Sequence, residues 1–124
     1  MKLRKKILVS VSAIAVGLTS LLINPGTAGA TLADCPNGWI CLWQDGPFVN
    51  GPGHRMLRFN APGRYDLGDF SFNDQMSSWA NKTGHNACWY EHGDLAGRHF
   101  MPANSSSAVV TPNDTASVLI IGNC

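Results

Sequence analysis

One short polar run occurs twice, and this repetition constrains the chain more than any other feature. Asn73-Asp74-Gln75-Met76-Ser77-Ser78 returns forty positions later as Asn113-Asp114-Thr115-Ala116-Ser117-Val118, each copy leading from a loop into an apolar stretch. A second landmark repeats with it. Ile40-Cys41-Leu42-Trp43 matches Ala87-Cys88-Trp89-Tyr90 at an offset of 47, and Gly46 and Phe48 fall on Gly93 and Leu95. The offset shrinks from 47 to 40 because the first copy holds seven more residues between these landmarks. A duplicated unit of about forty residues with four short strands can build a two-motif sandwich or a pair of propeller blades. Two blades cannot close a propeller, so the sandwich is expected.

The residues between the landmarks agree. From Asp34 onward, short apolar or aromatic runs are broken by Gly, Pro, Asn and Asp, and no apolar 3.6-residue period runs long enough for a helix. Strands are expected at residues 39–43, 54–59, 65–72 and 77–80. Turns at Asp45-Gly46-Pro47 and Asn60-Ala61-Pro62-Gly63 separate the first three. The second copy gives 87–90, 98–100, 108–110 and 117–121, with Ser105 to Ser107 read as loop. The fold class is therefore all-β.

Residues 1–30 read as a secretory signal peptide. Lys2, Arg4, Lys5 and Lys6 form a basic start, an apolar stretch follows to Ile23, and Ala28-Gly29-Ala30 suits cleavage near Ala30. The apolar run is nearly long enough to span a membrane, but the small-residue site directly after it favours cleavage and secretion. The mature chain, 31–124, keeps five basic residues against eight acidic ones, a net charge of −3. Nucleic acid and anionic membranes are excluded as electrostatic partners. One domain of this size buries only about 60–65% of its unfolded surface, so its margin of stability is thin. Cys35, Cys41, Cys88 and Cys124 are an even set in an exported chain and read as two disulfides, with three connectivities open.

Each half resembles a Greek-key motif of the βγ-crystallin type. That motif has an aromatic residue, then a large apolar residue five places on and a glycine two further, and later an Asn/Asp-Asn/Asp-x-x-Ser/Thr-Ser calcium signature. Tyr90, Leu95 and Gly97 match in the second half, about 85–124. In the first, about 38–84, Trp43 and Phe48 match and Asn50 stands where glycine is expected, asparagine being the side chain most tolerant of positive φ. The signature at Asn73 is complete, whereas the one at Asn113 ends in Val118 instead of serine. The leader, the Cys-Leu-Trp opening and the Phe-Asn-Asp-x-x-Ser-Ser segment are more narrowly similar to small bacterial secreted peptidase inhibitors of this fold, whose founding members inhibit metalloproteinases. The resemblance implies two four-stranded antiparallel sheets packed face to face, each motif lending its third strand to the other's sheet. It also implies the pairing of Cys88 with Cys124 and of Cys35 with Cys41.

Oxygen-bearing side chains at the signature spacing either tie down a turn or gather about six to eight oxygens around a hard cation such as calcium. In the family arrangement each cation lies between the motifs, with carbonyls from the hairpin loop of the other half. That implies one site at Asn73, Asp74, Gln75 and Ser77 and a weaker one at Asn113, Asp114, Thr115 and Ser117, with Gln75 offering its backbone oxygen. Enzyme chemistry has little support, because His54, His85, His92 and His99 are scattered and none lies in a nucleophile or metal-helix motif. Trp39, Trp43, Trp79 and Trp89 read as core and hairpin packing ahead of a sugar-binding stack.

The resemblance thus implies a monomeric secreted inhibitor that blocks an extracellular peptidase, with no enzyme activity of its own. The loop at Cys35-Pro36-Asn37-Gly38 and the connection from Asn60 to Asp69 are the candidate inhibitory segments, the latter read as the source of the first half's extra length. A calcium-binding module without a peptidase target and a killer-toxin-like antimicrobial protein are the alternatives.

Overall fold

The computed structural model describes residues 31–124, so the expected leader lies outside the described residues. Eight strands follow in order: β1 Ile40–Trp43, β2 Met56–Phe59, β3 Gly63–Asp66, β4 Ser78–Asn81, β5 Ala87–Tyr90, β6 Arg98–Met101, β7 Ser105–Ser107 and β8 Val118–Ile121. Short 3₁₀ turns occupy Leu32–Asp34 and Leu67–Phe70. The strands form two antiparallel four-stranded sheets, ordered β2-β1-β4-β7 and β3-β8-β5-β6. Each half therefore contributes its third strand, β3 or β7, to the sheet built by the other half.

The central strands are buried along almost their whole length because both of their faces are covered. Ile40 and Leu42 of β1 and Leu119 and Ile121 of β8 turn into the main core with Phe72, Met76, Trp79 and Trp89. Burying aliphatic side chains of this size contributes roughly 1.5–3 kcal/mol each. The alternate residues of β1, Cys41 and Trp43, lie in a second cluster with Cys35 and Ala80, roofed by Leu32, Trp39, Phe48 and Met56. Cys88, Tyr90 and Val118 form the corresponding cluster in the other sheet, with Ile120 beside them. One buried polar group links the sheets. The amide of Asn81 on β4 donates to the carbonyls of His85 at 2.8 Å and Met101 at 3.0 Å, and its oxygen accepts from the N–H and hydroxyl of Thr83. Satisfied on both sides, it carries no unpaired-donor penalty.

Disulfides join Cys35 to Cys41 and Cys88 to Cys124, six and 36 residues apart in sequence. Cys124 lies just beyond β8, in the terminal turn.

Three expectations about the strands need correction. The third strand of the first half stops at Asp66, after which Leu67–Phe70 turns as 3₁₀ helix with Leu67 buried and Ser71 left-handed at φ 55°. In the second half Ser105–Ser107 is the strand, and Ala108-Val109-Val110 follows it. An edge strand is decided by its partner's ladder more than by its own side chains. The three serines pair with Trp79, Ala80 and Asn81. Finally, the first half's extra length lies mainly outside residues 60–69. The β1–β2 connection has twelve residues, Gln44 to Arg55, against seven between β5 and β6, Glu91 to Gly97. That accounts for five of the seven extra residues.

Candidate functional site

The two signature runs meet where the halves of the molecule join, and they hold each other by exchanged backbone bonds. Met76 and Ala116 plug the core. The Asp74 N–H donates to the Ala116 carbonyl at 2.9 Å, and the Asp114 N–H donates to the Met76 carbonyl at 3.2 Å. Both aspartates take φ 58°, a left-handed conformation that Asp tolerates better than most residues. The next two bonds also match. The Ser77 N–H donates to the Trp43 carbonyl and the Ser117 N–H to the Tyr90 carbonyl, both at 2.8 Å.

The side chains fall differently from the expected ligand sets. The Ser77 hydroxyl donates to Oδ1 of Asp114 at 3.3 Å, so a serine of one signature meets an aspartate of the other. The Ser117 hydroxyl donates to the Glu91 carbonyl at 2.8 Å, and Glu91 belongs to the hairpin of the same half, not the other. Thr115 donates to the Pro112 carbonyl at 2.9 Å. Asn73, Asp74 and Asn113 are exposed and Gln75 is half-buried, and among the described residues their side chains make no hydrogen bond. Every donor atom at this junction is oxygen, which suits a hard cation. The carbonyls of Ala108 and Ser77 face Gly46 nearby, where a Cβ would lie 3.2 and 3.3 Å from their oxygens, and the latter accepts from the Val110 N–H. The side-chain oxygens of Ser77 and Asp114 are of the type that suits calcium. At Ser117 the hydroxyl turns to a carbonyl of its own half, and among the described residues it meets no carboxylate of the other signature.

The last serine of the signature has another role. The Ser78 hydroxyl accepts from the Phe48 N–H at 3.0 Å and so fastens the β1–β2 corner to β4. Val118 cannot do this, and the matching Leu95 N–H turns instead to the His92 carbonyl at 3.0 Å. Phe48 and Leu95 both have positive φ, 56° and 71°. Asn50 does not share that conformation, and Gly51 beside it does, at 126°.

Two acid–histidine pairs escaped the reading from sequence. Glu91 arches over Gly97, where a Cβ would come within 2.8 Å of its side chain, and its carboxylate meets Nε2 of His99 at 2.6 Å. The His99 ring lies flat on Trp89, centroids 3.9 Å apart. In the first half Asp45 Oδ2 meets Nδ1 of His54 at 2.8 Å. Neither pair had a signal in the residues alone, since each depends on how its own hairpin folds, with Trp89 opposite His99 in the second half. The imidazoles of both pairs make no hydrogen bond to a hydroxyl or thiol among the described residues. Trp43, Trp79 and Trp89 are buried in the core clusters, and Trp39 lies under Arg58.

Of the candidate inhibitory segments, Cys35 to Gly38 is a loop braced by the Cys35–Cys41 bond and by a bond from the Gly38 N–H to the Lys82 carbonyl at 2.8 Å. Residues 60–69 are largely β3 and the 3₁₀ turn.

Two Greek-key motifs that exchange third strands and face each other through paired signature loops define a domain of the βγ-crystallin class. Solved structures agree on the fold. The chain is similar to a domain described under the evolution of the eye-lens βγ-crystallin fold, with TM-score 0.62 and 20% identity over 76% of this chain and 95% of that one. It is also similar to the N-terminal domain of protein S, with TM-score 0.55 and 19% identity over 67% and 93% of the two chains. A βγ-crystallin domain from Flavobacterium johnsoniae gives 0.52 and 21% over 66% and 91%. No curated protein matches the sequence. Residues 28–101 match the model of peptidase inhibitor family I36, well over half of the chain, and the protein belongs to that family. It is a peptidase inhibitor of βγ-crystallin-like fold, and membership of an inhibitor family sets it apart from enzymes. No helix among the described residues is long and apolar enough to cross a membrane.

Proposed function

We propose that the protein is a secreted, monomeric inhibitor that blocks a metallopeptidase non-covalently by occupying its active-site cleft, after a signal peptide is removed near Ala30. The family match over residues 28–101 carries this reading. The scaffold supports it physically, because two disulfides and a buried double-sheet core hold exposed loops in fixed conformations, and a preorganised loop loses little entropy on binding. Titration of the purified protein, disulfides intact, into a thermolysin-type metallopeptidase and a subtilisin-type serine peptidase tests it. Stoichiometric loss of metallopeptidase activity is expected. Inhibition confined to the serine enzyme would move the target class, and inhibition of neither would remove the reading.

The crossed Ser77–Asp114 pair favours calcium binding as a second property. Ser77, Asp114 and neighbouring carbonyls would hold the ion, and the ion would supply a cross-link between the signature loops. Calcium at about ten times its Kd should then raise stability by about 1.4 kcal/mol. Thermal melts with and without calcium measure this, and Ser77→Ala should abolish most of the gain while Ser117→Ala removes less.

A further inference from the structure

We propose that His54 is the group this inhibitor places on the catalytic metal ion of its target, and that the lengthened β1–β2 connection is the segment that enters the cleft. The proposal rests on the inhibitor reading above and adds to it a segment and an atom. A neutral imidazole is the commonest protein ligand for zinc, and the nitrogen that binds is set by the hydrogen bond the other one makes. Asp45 Oδ2 meets Nδ1 of His54 at 2.8 Å, so in the neutral ring the proton sits on Nδ1 and the Nε2 lone pair is free. The side chain is 46% exposed, and among the described residues Nε2 has no partner. A carboxylate behind the imidazole is the arrangement that fixes the tautomer and ring orientation of histidines on metal ions.

The other histidines lack this combination. His99 gives Nε2 to Glu91 and is stacked on Trp89. His85 and His92 are exposed but face no carboxylate among the described residues. The segment that carries His54 is also the one that breaks the symmetry of the molecule, with twelve residues against seven, and Gly51 to Arg55 are all exposed.

The same segment is held on both sides of His54. Gly51 to His54 form a turn closed by the His54 N–H on the Gly51 carbonyl at 2.9 Å. Arg55 reaches the carbonyls of Phe70 and Ser71 at 2.6 and 2.5 Å, and Phe48 is clamped by Ser78 and packs edge-on against Trp43. Pro52 offers no N–H to an enzyme that reads extended backbone, so the Gly51–Pro52 bond is a poor substrate.

In the complex the Nε2 lone pair forms a coordinate bond to the metal and displaces its bound water, which leaves as neutral water. The Nδ1 proton stays with His54, and nothing is oxidised or reduced. Loss of that water removes the nucleophile that hydrolysis requires.

The test uses the wild-type protein, His54→Gln and Asp45→Asn against a thermolysin-type zinc peptidase in its zinc, metal-free and cobalt-substituted forms. Asp45→Asn should weaken inhibition about 10–100-fold, as loss of a carboxylate behind a metal-bound histidine does, and His54→Gln by at least as much. Wild type should bind the metal-free enzyme more weakly and should shift the visible cobalt spectrum, which His54→Gln should leave unmoved. Unchanged melting temperatures for both variants assign the loss to binding. Inhibition by His54→Gln equal to wild type, or a cobalt spectrum unmoved by an inhibiting wild type, overturns the inference and leaves the inhibitor reading intact. Failure of wild type to inhibit any peptidase overturns both.

Discussion

The two hairpins, β1–β2 and β5–β6, solve one backbone problem in two ways. Each must fold a corner with a large apolar residue at positive φ, Phe48 in the first half and Leu95 in the second. Such a conformation is costly for these residues and persists only where the surroundings over-determine it. The first half determines it from outside: Ser78 takes the Phe48 N–H and Trp43 takes its ring. The second half determines it locally: the Leu95 N–H closes on His92, and Gly97 makes room for Glu91 to reach His99. With its corner pinned from a distance, the first hairpin is free to lengthen, and its five extra residues are where the exposed turn of Gly51 to His54 lies. The second hairpin is bound to its own short loop.

The disulfides offer the largest contrast between the halves. Replacing Cys88 and Cys124 by alanine frees a 36-residue closure and should cost about 4 kcal/mol, whereas replacing Cys35 and Cys41 frees a six-residue one and should cost about 2 kcal/mol. For a domain of this size each kcal/mol is worth roughly 4–8 °C of melting temperature, so calorimetry separates the two easily. Equal losses would mean that Cys35 and Cys41, both buried beside Trp43, act through packing as much as through chain entropy.

Gly97 and Asn50 occupy matching positions and should behave in opposite ways. Gly97→Ala forces a Cβ onto the Glu91 side chain at φ 70°, and a loss of about 2–4 kcal/mol is expected from strain and crowding together. Asn50→Ala should stay within about 0.5 kcal/mol, because Asn50 does not have the left-handed backbone that its position in the repeat suggested. Urea unfolding measures both. A large loss at Asn50 would show that its side chain, and not its backbone, matters to the corner.

Much of this was legible in the residues. The double offset of 47 and 40 gave the duplication, and the short apolar runs Ile40 to Trp43 and Val118 to Ile121 marked strands that the structure places at the centre of each sheet. The edges were less readable. Ser105 to Ser107 carry no strand propensity, and the spacing of Tyr65, Leu67, Phe70 and Phe72 reads as strand where the chain turns as 3₁₀ helix after Asp66. Side-chain contacts between loop residues were not readable. That Ser77 meets Asp114 depends on how the two signature loops lie against each other, and that Glu91 reaches His99 while Asp45 reaches His54 depends on how each hairpin folds on itself. One sequence holds the repeat period but not that relation.

Exchange of the last signature residue tests most directly whether the corners are independent solutions. Ser78→Val leaves the Phe48 N–H without its acceptor in a half-buried site, which costs about 1–3 kcal/mol. Val118→Ser should also cost about 1–3 kcal/mol, because it withdraws apolar surface from the cluster with Cys88 and Tyr90 and supplies a hydroxyl whose natural donor, the Leu95 N–H, is already bound to His92. If both swaps destabilise, each half is committed to its own way of holding the corner. If Val118→Ser instead stabilises, the second corner accepts the serine clamp when it is offered, and its local turn is a substitute for the clamp and not an alternative to it. In that case the Ser78 clamp alone would not explain why only the first hairpin has lengthened, and the freedom to lengthen would have to come from the absence of a Glu91–Gly97 crossing in the first half.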